Sequence, residues 1–442
     1  MARKTQLKRI APPARLAGAF NVSGDKSISH RALILNGLAS GSSEIRNLSP
    51  GRDCLSTINC LKAIGVRFEK QGDEPPGLII HGVGNTGLTE AQNVLNAGNS
   101  ATTIRLLSGV LAAQPFLSIL TGDASLRSRP MQRLVEPLRL MGAEIHGRGG
   151  DSFAPLVIKG RKLHGVTYSL PISSAQIKSA ILLAGLFAKG NTSIKEPQLS
   201  RDHTERLLKR MGGKLESDNS HISLTPSITP LNPVSLSVPG DISSAAYWLV
   251  AGAIHPNAKV KITNCGVNPT RTGIVDVLQA MGAKLKIENQ HFESNEPIAD
   301  LCIESSQLKA VEIGGEMIPR LIDELPVLAV AACVAKGNTI IRDAGELRVK
   351  ESDRIMATAQ ELSRLGAKIE ELPDGMIIYG GSQLIGTEVK SHSDHRLAMS
   401  LAIAGLVAKG ETIISGAQVV EISYPSFWKD LESIVRERNK RK

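Results

Sequence analysis

Apolar and polar positions alternate along the chain in a fixed relation to glycine. Five times an apolar stretch ends in Ile, Met or Leu followed by glycine, and an alternating segment such as Lys284-Leu285-Lys286-Ile287 comes next. Glycine tolerates the left-handed conformation just past a helix, and a period of two is typical of a strand with one buried face. The glycines are Gly65, Gly142, Gly212, Gly282 and Gly366. The pattern predicts a helix followed by a strand at each of them.

A second pattern consists of an apolar helix, a short turn and a β-branched strand. It covers residues 33–48, 106–120, 181–194, 247–262, 328–341 and 401–414. The block therefore recurs about every seventy residues, which is the period of a supersecondary repeat. We predict an α/β fold of six such blocks, with the sheets outside and the apolar helices packed inside.

The blocks group in threes. Val22-Ser23-Gly24-Asp25 returns in the middle of the chain as Val238-Pro239-Gly240-Asp241, after a proline-rich stretch. We predict one domain over 24–238 and a second formed by 1–23 plus 239–442, with a hinge near Gly24 and Gly240. A cleft between two such domains is a usual ligand site.

The charge balance indicates anionic partners. The chain contains 52 Lys and Arg against 42 Asp and Glu, a net charge of +10. Aromatic residues make up only 3% of it, which leaves few surfaces on which bases could stack. We therefore expect no nucleic acid as a partner, and a basic nucleic-acid-binding scaffold remains the non-enzymatic alternative.

Cysteine usage and hydropathy limit the compartment. The cysteines at 54, 60, 265, 302 and 333 show no Cys-x-x-Cys pair and no nearby histidine spacing, which indicates reduced thiols and argues against zinc. The first residues lack a signal-peptide pattern, and no apolar run approaches the roughly eighteen residues of a membrane span. We expect a cytoplasmic protein with no membrane association, no metal and no cofactor.

The two copies of the Gly-Asp string lead into different residues. Gly240-Asp241 precedes Ile242-Ser243-Ser244-Ala245, whereas Gly24-Asp25 precedes Lys26-Ser27-Ile28-Ser29-His30-Arg31. Packing alone would be satisfied by the apolar version. An ammonium, a hydroxyl, a guanidinium and the free amides of a helix start suit a phosphate or a carboxylate. The alternative is a solvated first turn without a ligand.

Comparable polar or cationic clusters lie at the corresponding ends of other blocks. They cover residues 99–105, 127–130, 173–178, 200–203, 348–354 and 393–396. Each alone is compatible with an ordinary capped helix start. Together they predict one anion-binding site that several blocks supply.

These strings, in this order over nearly the whole chain, resemble the 5-enolpyruvylshikimate-3-phosphate synthase family. The strings that carry the resemblance are Gly24 to Arg31, Gly98-Asn99-Ser100-Ala101-Thr102, Arg129-Pro130, Ser174-Ala175-Gln176, Arg348 to Arg354, and Asp394-His395-Arg396. The resemblance implies a two-domain inside-out α/β barrel of six βαβαββ units, three per domain, that closes on its ligands. It also implies transfer of the enolpyruvyl group of phosphoenolpyruvate to the 5-hydroxyl of shikimate 3-phosphate, with release of phosphate.

The resemblance further implies which residues act. The catalytic residues would be Lys26, Asp323 and Glu351, with Asp323 acting on the hydroxyl, Glu351 on the carbon and Lys26 on the bridging oxygen of the phosphate. Shikimate 3-phosphate would be bound by Lys26, Ser27, Arg31, Ser174, Ala175, Gln176, Arg201, Asp323 and Lys350. Phosphoenolpyruvate would be bound by Lys26, Asn99, Ala101, Arg129, Gln176, Arg354 and Arg396. We interpret Arg105 as a brace for the loop.

Two departures from the family pattern are informative. Ala101 stands where many members have glycine, so that a methyl group projects toward the ligand, as in the class II, glyphosate-insensitive type. We therefore expect glyphosate to bind weakly. A lysine that many members carry near the end of the chain is absent before Tyr424-Pro425, which puts one phosphate contact in doubt.

The nearest rival is UDP-N-acetylglucosamine enolpyruvyl transferase. That family has Lys-Asn at the first crossing and usually a loop cysteine, whereas this chain has Lys26-Ser27 and no cysteine over 122–129. We expect a monomer.

Overall fold

The described residues form two compact units. The computed structural model describes residues 6–72, 77–218, 220–227 and 229–435. The N-terminal unit comprises Gly24–Val238 together with Phe292–Glu296, and the C-terminal unit comprises the described parts of Met1–Ser23, Pro239–His291 and Pro297–Lys442. No sequence pattern indicates that Phe292–Glu296 groups with the N-terminal unit.

The chain begins with β1 (Leu7–Ile10) and β2 (Leu16–Phe20), which belong to the C-terminal unit. The N-terminal unit then contains α1 (Lys26–Gly37), β3 (Ser40–Arg46), α2 (Arg52–Ala63), β4 (Arg67–Gln71), β5 (Gly77–Val83), β6 (Leu95–Asn96), α3 (Ala101–Leu111), β7 (Leu117–Thr121), α4 (Ala124–Arg127), α5 (Gln132–Leu140), β8 (Glu144–Gly147), α6 (Arg148–Asp151), β9 (Phe153–Lys159), β10 (Thr167–Ser169), α7 (Ala175–Gly185), β11 (Thr192–Lys195), α8 (His203–Arg210), β12 (Lys214–Asp218), β13 (His221–Thr225) and β14 (Leu236–Ser237).

The rest of the chain continues the C-terminal unit. It contains α9 (Ile242–Ile254), β15 (Ala258–Gly266), α10 (Gly273–Ala280), β16 (Lys284–Glu293), β17 (Glu296–Glu304), β18 (Glu312–Ile313), α11 (Met317–Leu321), α12 (Leu325–Val334), β19 (Asn338–Ile341), a 3₁₀ helix (Gly345–Val349), α13 (Arg354–Arg364), β20 (Lys368–Leu372), β21 (Gly375–Tyr379), β22 (Glu388–Lys390), α14 (His395–Gly405), β23 (Thr412–Ser415), a second 3₁₀ helix (Ala417–Ile422) and α15 (Phe427–Val435).

Within the described residues, the strands form six small sheets of related topology, five with four strands and one with three. The orders are β14-β3-β5-β4, β6-β7-β9-β8 and β10-β11-β13-β12 in the N-terminal unit, and β16-β17-β15-β2, β18-β19-β21-β20 and β1-β23-β22 in the C-terminal unit. Each sheet contains one parallel pair next to an antiparallel pair, as where β6 runs parallel to β7 and β7 antiparallel to β9. The repetition confirms the predicted α/β fold of six blocks.

Both sequence patterns correspond to real junctions. The predicted helix-to-strand glycines stand between α2 and β4, α5 and β8, α8 and β12, α10 and β16, and α13 and β20, and all five have φ between 86° and 101°. The second pattern matches α1, α3, α7, α9, α12 and α14, which are buried over nearly their whole length. These helices form the centre of each unit's own apolar core, as their mostly apolar sequences predict.

Helices α3 and α7 pack closely against each other. A Cβ atom on Gly109 would lie 2.2 Å from the Ala180 carbonyl oxygen, so the two backbones touch at this glycine. Their first turns are joined by a hydrogen bond from Gln176 to Thr102. Within the described ranges, none of the helices has the length and apolarity needed to traverse a lipid bilayer.

Candidate active site

The first turn of α1 presents a lysine that is held by a carboxylate. Asp25 caps the helix by accepting from a backbone amide of the first turn at 2.9 Å. Lys26 follows, and its Nζ lies 3.1 Å from Asp53 Oδ2 on α2. Glycine is required just before the cap, because a Cβ on Gly24 would lie 1.8 Å from the Asn47 carbonyl oxygen. The local sequence thus fixes where Lys26 stands.

Arg31 supports the same turn from the interior. Its Nη1 donates to the Ser27 carbonyl at 2.9 Å, its Nε to Thr204 Oγ1 at 2.6 Å and its Nη2 to Ser179 Oγ at 2.8 Å. Arg201 reaches the turn as well, with Nη1 3.3 Å from Ser27 Oγ. Burial lowers the pKa of Arg31 to about 10, so the side chain stays charged at neutral pH. Three residues predicted to bind shikimate 3-phosphate, Ser27, Arg31 and Arg201, therefore lie together.

The turn before α3 gathers a second group of predicted residues. Ser100 caps the helix through a first-turn amide at 3.1 Å, and Ala101 is the first helical residue. Asn99 Oδ1 accepts from Arg129 Nη2 at 2.8 Å, and Asn99 Nδ2 donates to Asp123 Oδ2 at 2.8 Å. Asn99 and Arg129 form one cluster next to Ala101.

Gln176 connects α7 to α3. Its Nε2 donates to Thr102 Oγ1 at 2.9 Å, and its Oε1 accepts from Arg105 Nη1. Arg105 also donates to a backbone carbonyl after Arg129, at 3.2 Å, which is the bracing geometry expected from the sequence. Ser174 caps α7 and Ala175 is its first residue. The first turns of the central helices therefore meet through side-chain hydrogen bonds.

A chain of buried hydroxyl groups links α1 to the cap of α3. His30 Nδ1 lies 2.7 Å from Thr57 Oγ1, which lies 2.7 Å from Thr103 Oγ1, which in turn donates to Ser100 Oγ at 2.7 Å. Burial lowers the pKa of His30 well below its ordinary value, so the ring is neutral at pH 7. The chain fixes the Ser100 cap, and no sequence signal pointed to it.

In the C-terminal unit, the Arg354 guanidinium contacts three carboxylates. Its Nε lies 2.8 Å from Asp394 Oδ2, its Nη1 3.2 Å from Asp323 Oδ1 and its Nη2 2.6 Å from Glu351 Oε2. Burial alone lowers the pKa of Arg354, but these carboxylates outweigh it and raise the pKa above its ordinary value. We call these four residues the Arg354 cluster. It brings together the two predicted acid–base residues, Asp323 and Glu351.

Asp394 connects this cluster to α14. It caps that helix by accepting from Arg396 N at 2.8 Å, and the Arg396 Nη2 lies 3.7 Å from Asp323 Oδ2. Burial alone raises the pKa of Asp394, yet Arg354 holds it below its ordinary value. Lys350, predicted to bind shikimate 3-phosphate, follows the first 3₁₀ helix and directly precedes Glu351.

Sequence reasoning missed two of the carboxylates that hold the cations. Asp53 pairs with Lys26 across two helices, a contact that no local pattern reveals. Asp394 carried a usable signal, since an acidic residue directly before an apolar helix is a typical cap. Its second role, as a partner of Arg354 forty residues earlier, depends on the tertiary fold.

Comparisons with known proteins identify the family of the chain. The family model for EPSP synthase (3-phosphoshikimate 1-carboxyvinyltransferase) matches residues 10–431. Relatives with the name 3-phosphoshikimate 1-carboxyvinyltransferase include one from Herpetosiphon aurantiacus, 53% identical over 427 residues, and one from Gloeobacter violaceus, 54% identical over 426 residues. Each alignment covers 96% of this chain and 98% of the relative.

Solved structures extend the comparison to the fold. An EPSP synthase from Acinetobacter baumannii superimposes with a TM-score of 0.86 at 42% identity, covering 98% of both chains. The enolpyruvyl transferase NikO from Streptomyces tendae shares the fold, with a TM-score of 0.77 at 19% identity over 97% of each chain. The chain therefore belongs to the EPSP synthase (3-phosphoshikimate 1-carboxyvinyltransferase) family.

Proposed function

We propose that this chain acts through Lys26, Asp323 and Glu351 as a 3-phosphoshikimate 1-carboxyvinyltransferase. Such an enzyme transfers the enolpyruvyl group of phosphoenolpyruvate to the 5-hydroxyl of shikimate 3-phosphate and releases phosphate, a step of aromatic amino acid biosynthesis. The observation that carries the activity is the family match over nearly the whole chain. The UDP-N-acetylglucosamine enolpyruvyl transferase alternative is not favoured, because relatives above half identity bear the shikimate name.

Shikimate 3-phosphate would bind where α1 starts. Ser27, Arg31 and Arg201 are already connected there by hydrogen bonds, and a helix start with a nearby guanidinium suits a phosphate dianion. Lys26, Ser174, Ala175 and Gln176 complete the N-terminal unit's share of this site. Asp323 and Lys350 would contribute from the C-terminal unit.

Phosphoenolpyruvate would bind next to the start of α3. Arg129 Nη2 donates to Asn99 Oδ1 there at 2.8 Å, and Gln176 is hydrogen-bonded to the first turn of the helix. Lys26, Arg354 and Arg396 would supply further positive charge. The two substrates together carry about five to six negative charges, which is in keeping with the number of cations proposed to surround them.

The chemistry requires one group that accepts the 5-hydroxyl proton and another that protonates the methylene carbon. Asp323 would accept the hydroxyl proton and Glu351 would serve the carbon, while Lys26 would neutralise the bridging oxygen of the phosphate. The support is geometric, since one guanidinium, that of Arg354, holds both carboxylates. Neighbouring charges can set two carboxyl groups to different proton affinities, as paired acid and base work requires.

We also propose that the enzyme is of the class II type, which binds glyphosate weakly. Ala101 is the first residue of α3, next to the Asn99 and Arg129 cluster, so its methyl group lies beside the region proposed for phosphoenolpyruvate. Phosphoenolpyruvate would still fit beside this methyl group. We further propose a monomer in a reducing cytoplasm, which the five free cysteines support.

The test of the activity is release of phosphate from phosphoenolpyruvate, measured with and without shikimate 3-phosphate. We expect release that depends strictly on this acceptor. Release that instead requires UDP-N-acetylglucosamine would identify the rival transferase. No release with either acceptor, together with salt-dependent retention on DNA, would favour the non-enzymatic scaffold.

A further inference from the structure

A fully buried ammonium group lies between two buried carboxylates in the N-terminal unit. The Lys178 Nζ lies 2.9 Å from Glu196 Oε1 and 2.7 Å from Glu205 Oε1, and the side chains of all three residues are at most 5% exposed. Burial alone lowers the pKa of Lys178, but the two carboxylates raise it above its ordinary value, so the lysine is charged. We call these three residues the Lys178 cluster. An ion cluster this deep is a weak source of stability, because removing charges from water opposes their attraction.

The Lys178 cluster holds both ends of the segment 200–205. At one end, Lys178 Nζ donates to the Ser200 carbonyl at 3.4 Å, and Ser200 Oγ donates to Glu196 Oε2 at 2.6 Å. At the other end, Glu205 itself belongs to the cluster. An ammonium has three donors directed at different partners, and here they meet two carboxylates and a carbonyl.

The segment held in this way carries side chains of the proposed shikimate 3-phosphate site. Arg201 follows Ser200 and reaches Ser27 Oγ at 3.3 Å. Thr204 precedes Glu205, and its Oγ1 accepts from Arg31 Nε at 2.6 Å.

The helix that bears Lys178 reaches the same arginine. Ser179, the next residue of α7, lies 2.6 Å from Thr204 Oγ1 and accepts from Arg31 Nη2 at 2.8 Å. Ser179 and Thr204, the two hydroxyl partners of Arg31, are thus each adjacent in sequence to a member of the Lys178 cluster, and Arg201 is adjacent to Ser200, which the cluster binds. Glu205 additionally raises the pKa of Arg31 against the effect of burial, so the two groups interact electrostatically.

We propose that Lys178 is a positioning residue for shikimate 3-phosphate, acting through Glu196 and Glu205 on the segment that carries Arg201 and Thr204. The inference rests on the proposed role of Ser27, Arg31 and Arg201 as ligands of that substrate. The Lys178 cluster does not touch the substrate. It sets the distance between the two arginines and the start of α1.

The proposal predicts an effect on one substrate and not on the other. The Lys178→Met variant keeps the length of the side chain and removes the charge, so Glu196 and Glu205 repel each other and the segment 200–205 shifts. We expect the KM for shikimate 3-phosphate to rise about tenfold, equivalent to about 1.4 kcal/mol of binding free energy. The KM for phosphoenolpyruvate should stay close to that of the unmodified enzyme, because Asn99 and Arg129 are held by each other and by Asp123, outside the segment 200–205.

The experiment compares steady-state phosphate release by the full-length unmodified enzyme and three variants, varying each substrate in turn. Lys209→Met is the matched control, since it removes a lysine from the exposed face of α8 and should alter neither KM. Arg201→Ala should raise the KM for shikimate 3-phosphate. An unchanged value in Arg201→Ala would overturn the ligand assignment on which the inference rests.

If the KM for shikimate 3-phosphate rises in Arg201→Ala but is unchanged in Lys178→Met, the role of Lys178 alone is overturned. An equal rise of both KM values in Lys178→Met would also overturn it, because a purely structural lysine would weaken both sites. If Lys178→Met fails to fold, Glu196→Gln replaces it, since this variant retains the pair of Lys178 with Glu205. We expect a smaller but equally selective rise, and no change in Glu196→Gln would overturn the proposal.

Discussion

Replacing Asp394 by asparagine removes the negative charge from the innermost carboxylate of the Arg354 cluster. Asp394 is fully buried, and Arg354 reaches it with Nε at 2.8 Å and Nη2 at 3.4 Å. A hydrogen bond to a charged group contributes about 1.5–3 kcal/mol, and leaving a buried charge without compensation costs about 3–5 kcal/mol. Asp323 and Glu351 still compensate Arg354. We therefore expect Asp394→Asn to lower the free energy of unfolding by about 2–3 kcal/mol.

Urea unfolding at pH 7, followed by tryptophan fluorescence, measures this decrease in the free energy of unfolding in the unit that contains Asp394. The chain's two tryptophans, Trp248 and Trp428, both belong to the C-terminal unit, so the signal reports that unit. The matched control is Asp276→Asn, which breaks a partly exposed pair with Arg320 and should cost about 0–1 kcal/mol. A loss below about 1 kcal/mol in Asp394→Asn, or equal losses in both variants, would refute the reasoning.

The same variant makes a signed prediction about pH. Because Arg354 lowers the pKa of Asp394 in the folded state, the stability it provides is fully present above the unfolded pKa of about 3.9. It is lost as the pH falls through the lower folded pKa. The difference in unfolding free energy between the unmodified enzyme and Asp394→Asn should therefore be constant near neutral pH and shrink in strong acid. A difference that instead grew with acidification would contradict the assigned direction.

Four further substitutions test the proposed site. Glu351→Gln and Asp323→Asn should each lower turnover by about a hundredfold or more while calorimetry shows that shikimate 3-phosphate still binds, and near-normal turnover would reject the corresponding acid–base role. Ala101→Gly should strengthen inhibition by glyphosate in the phosphate-release assay, and unchanged inhibition would remove the steric explanation. Ser100→Ala removes a helix cap and should lower the free energy of unfolding by about 1 kcal/mol, seen as a lower melting temperature. It should also raise the KM for phosphoenolpyruvate, because the turn that carries Asn99 loosens. A loss of stability with no change in that KM would show that the cap does not support the site.

The repeated blocks were predictable because their signals are local. A glycine such as Gly142 needs a positive φ just past a helix, and the helix before it and the strand after it show their own periodicities. Six copies reinforced each weak local signal. The grouping of Phe292–Glu296 with the N-terminal unit was not predictable, because it depends on contacts with residues far away in the chain, such as Arg206 with the Asn295 carbonyl.

The sequence predicted the cations of the candidate site and the carboxylates Asp323 and Glu351, but not Asp53 or the pairing of Asp394 with Arg354. Lys26 and Arg354 stood out as charges that packing did not require, and the family resemblance assigned them roles. Asp53, the partner of Lys26, did not stand out, because it is one of many acidic residues in first turns of helices. Lys178 was visible in the sequence as a cation in an otherwise apolar helix, but nothing local distinguished a ligand from a buried partner of Glu196 and Glu205.

The carboxylates change the electrostatic picture that the net charge suggests. Cations that are clustered in the absence of substrate would repel one another. However, Lys26 is paired with Asp53, and Arg354 is paired with three carboxylates, each within its own unit. A substrate anion that binds to Arg354 must therefore compete with a carboxylate that is already there. Asp394 is fully buried and caps a helix, so it is the carboxylate least able to move away from Arg354. The partners that can move away from Arg354 are Asp323 and Glu351, which are the two groups proposed to transfer protons. On this proposal, binding of the substrate to Arg354 itself releases the acid and the base for catalysis.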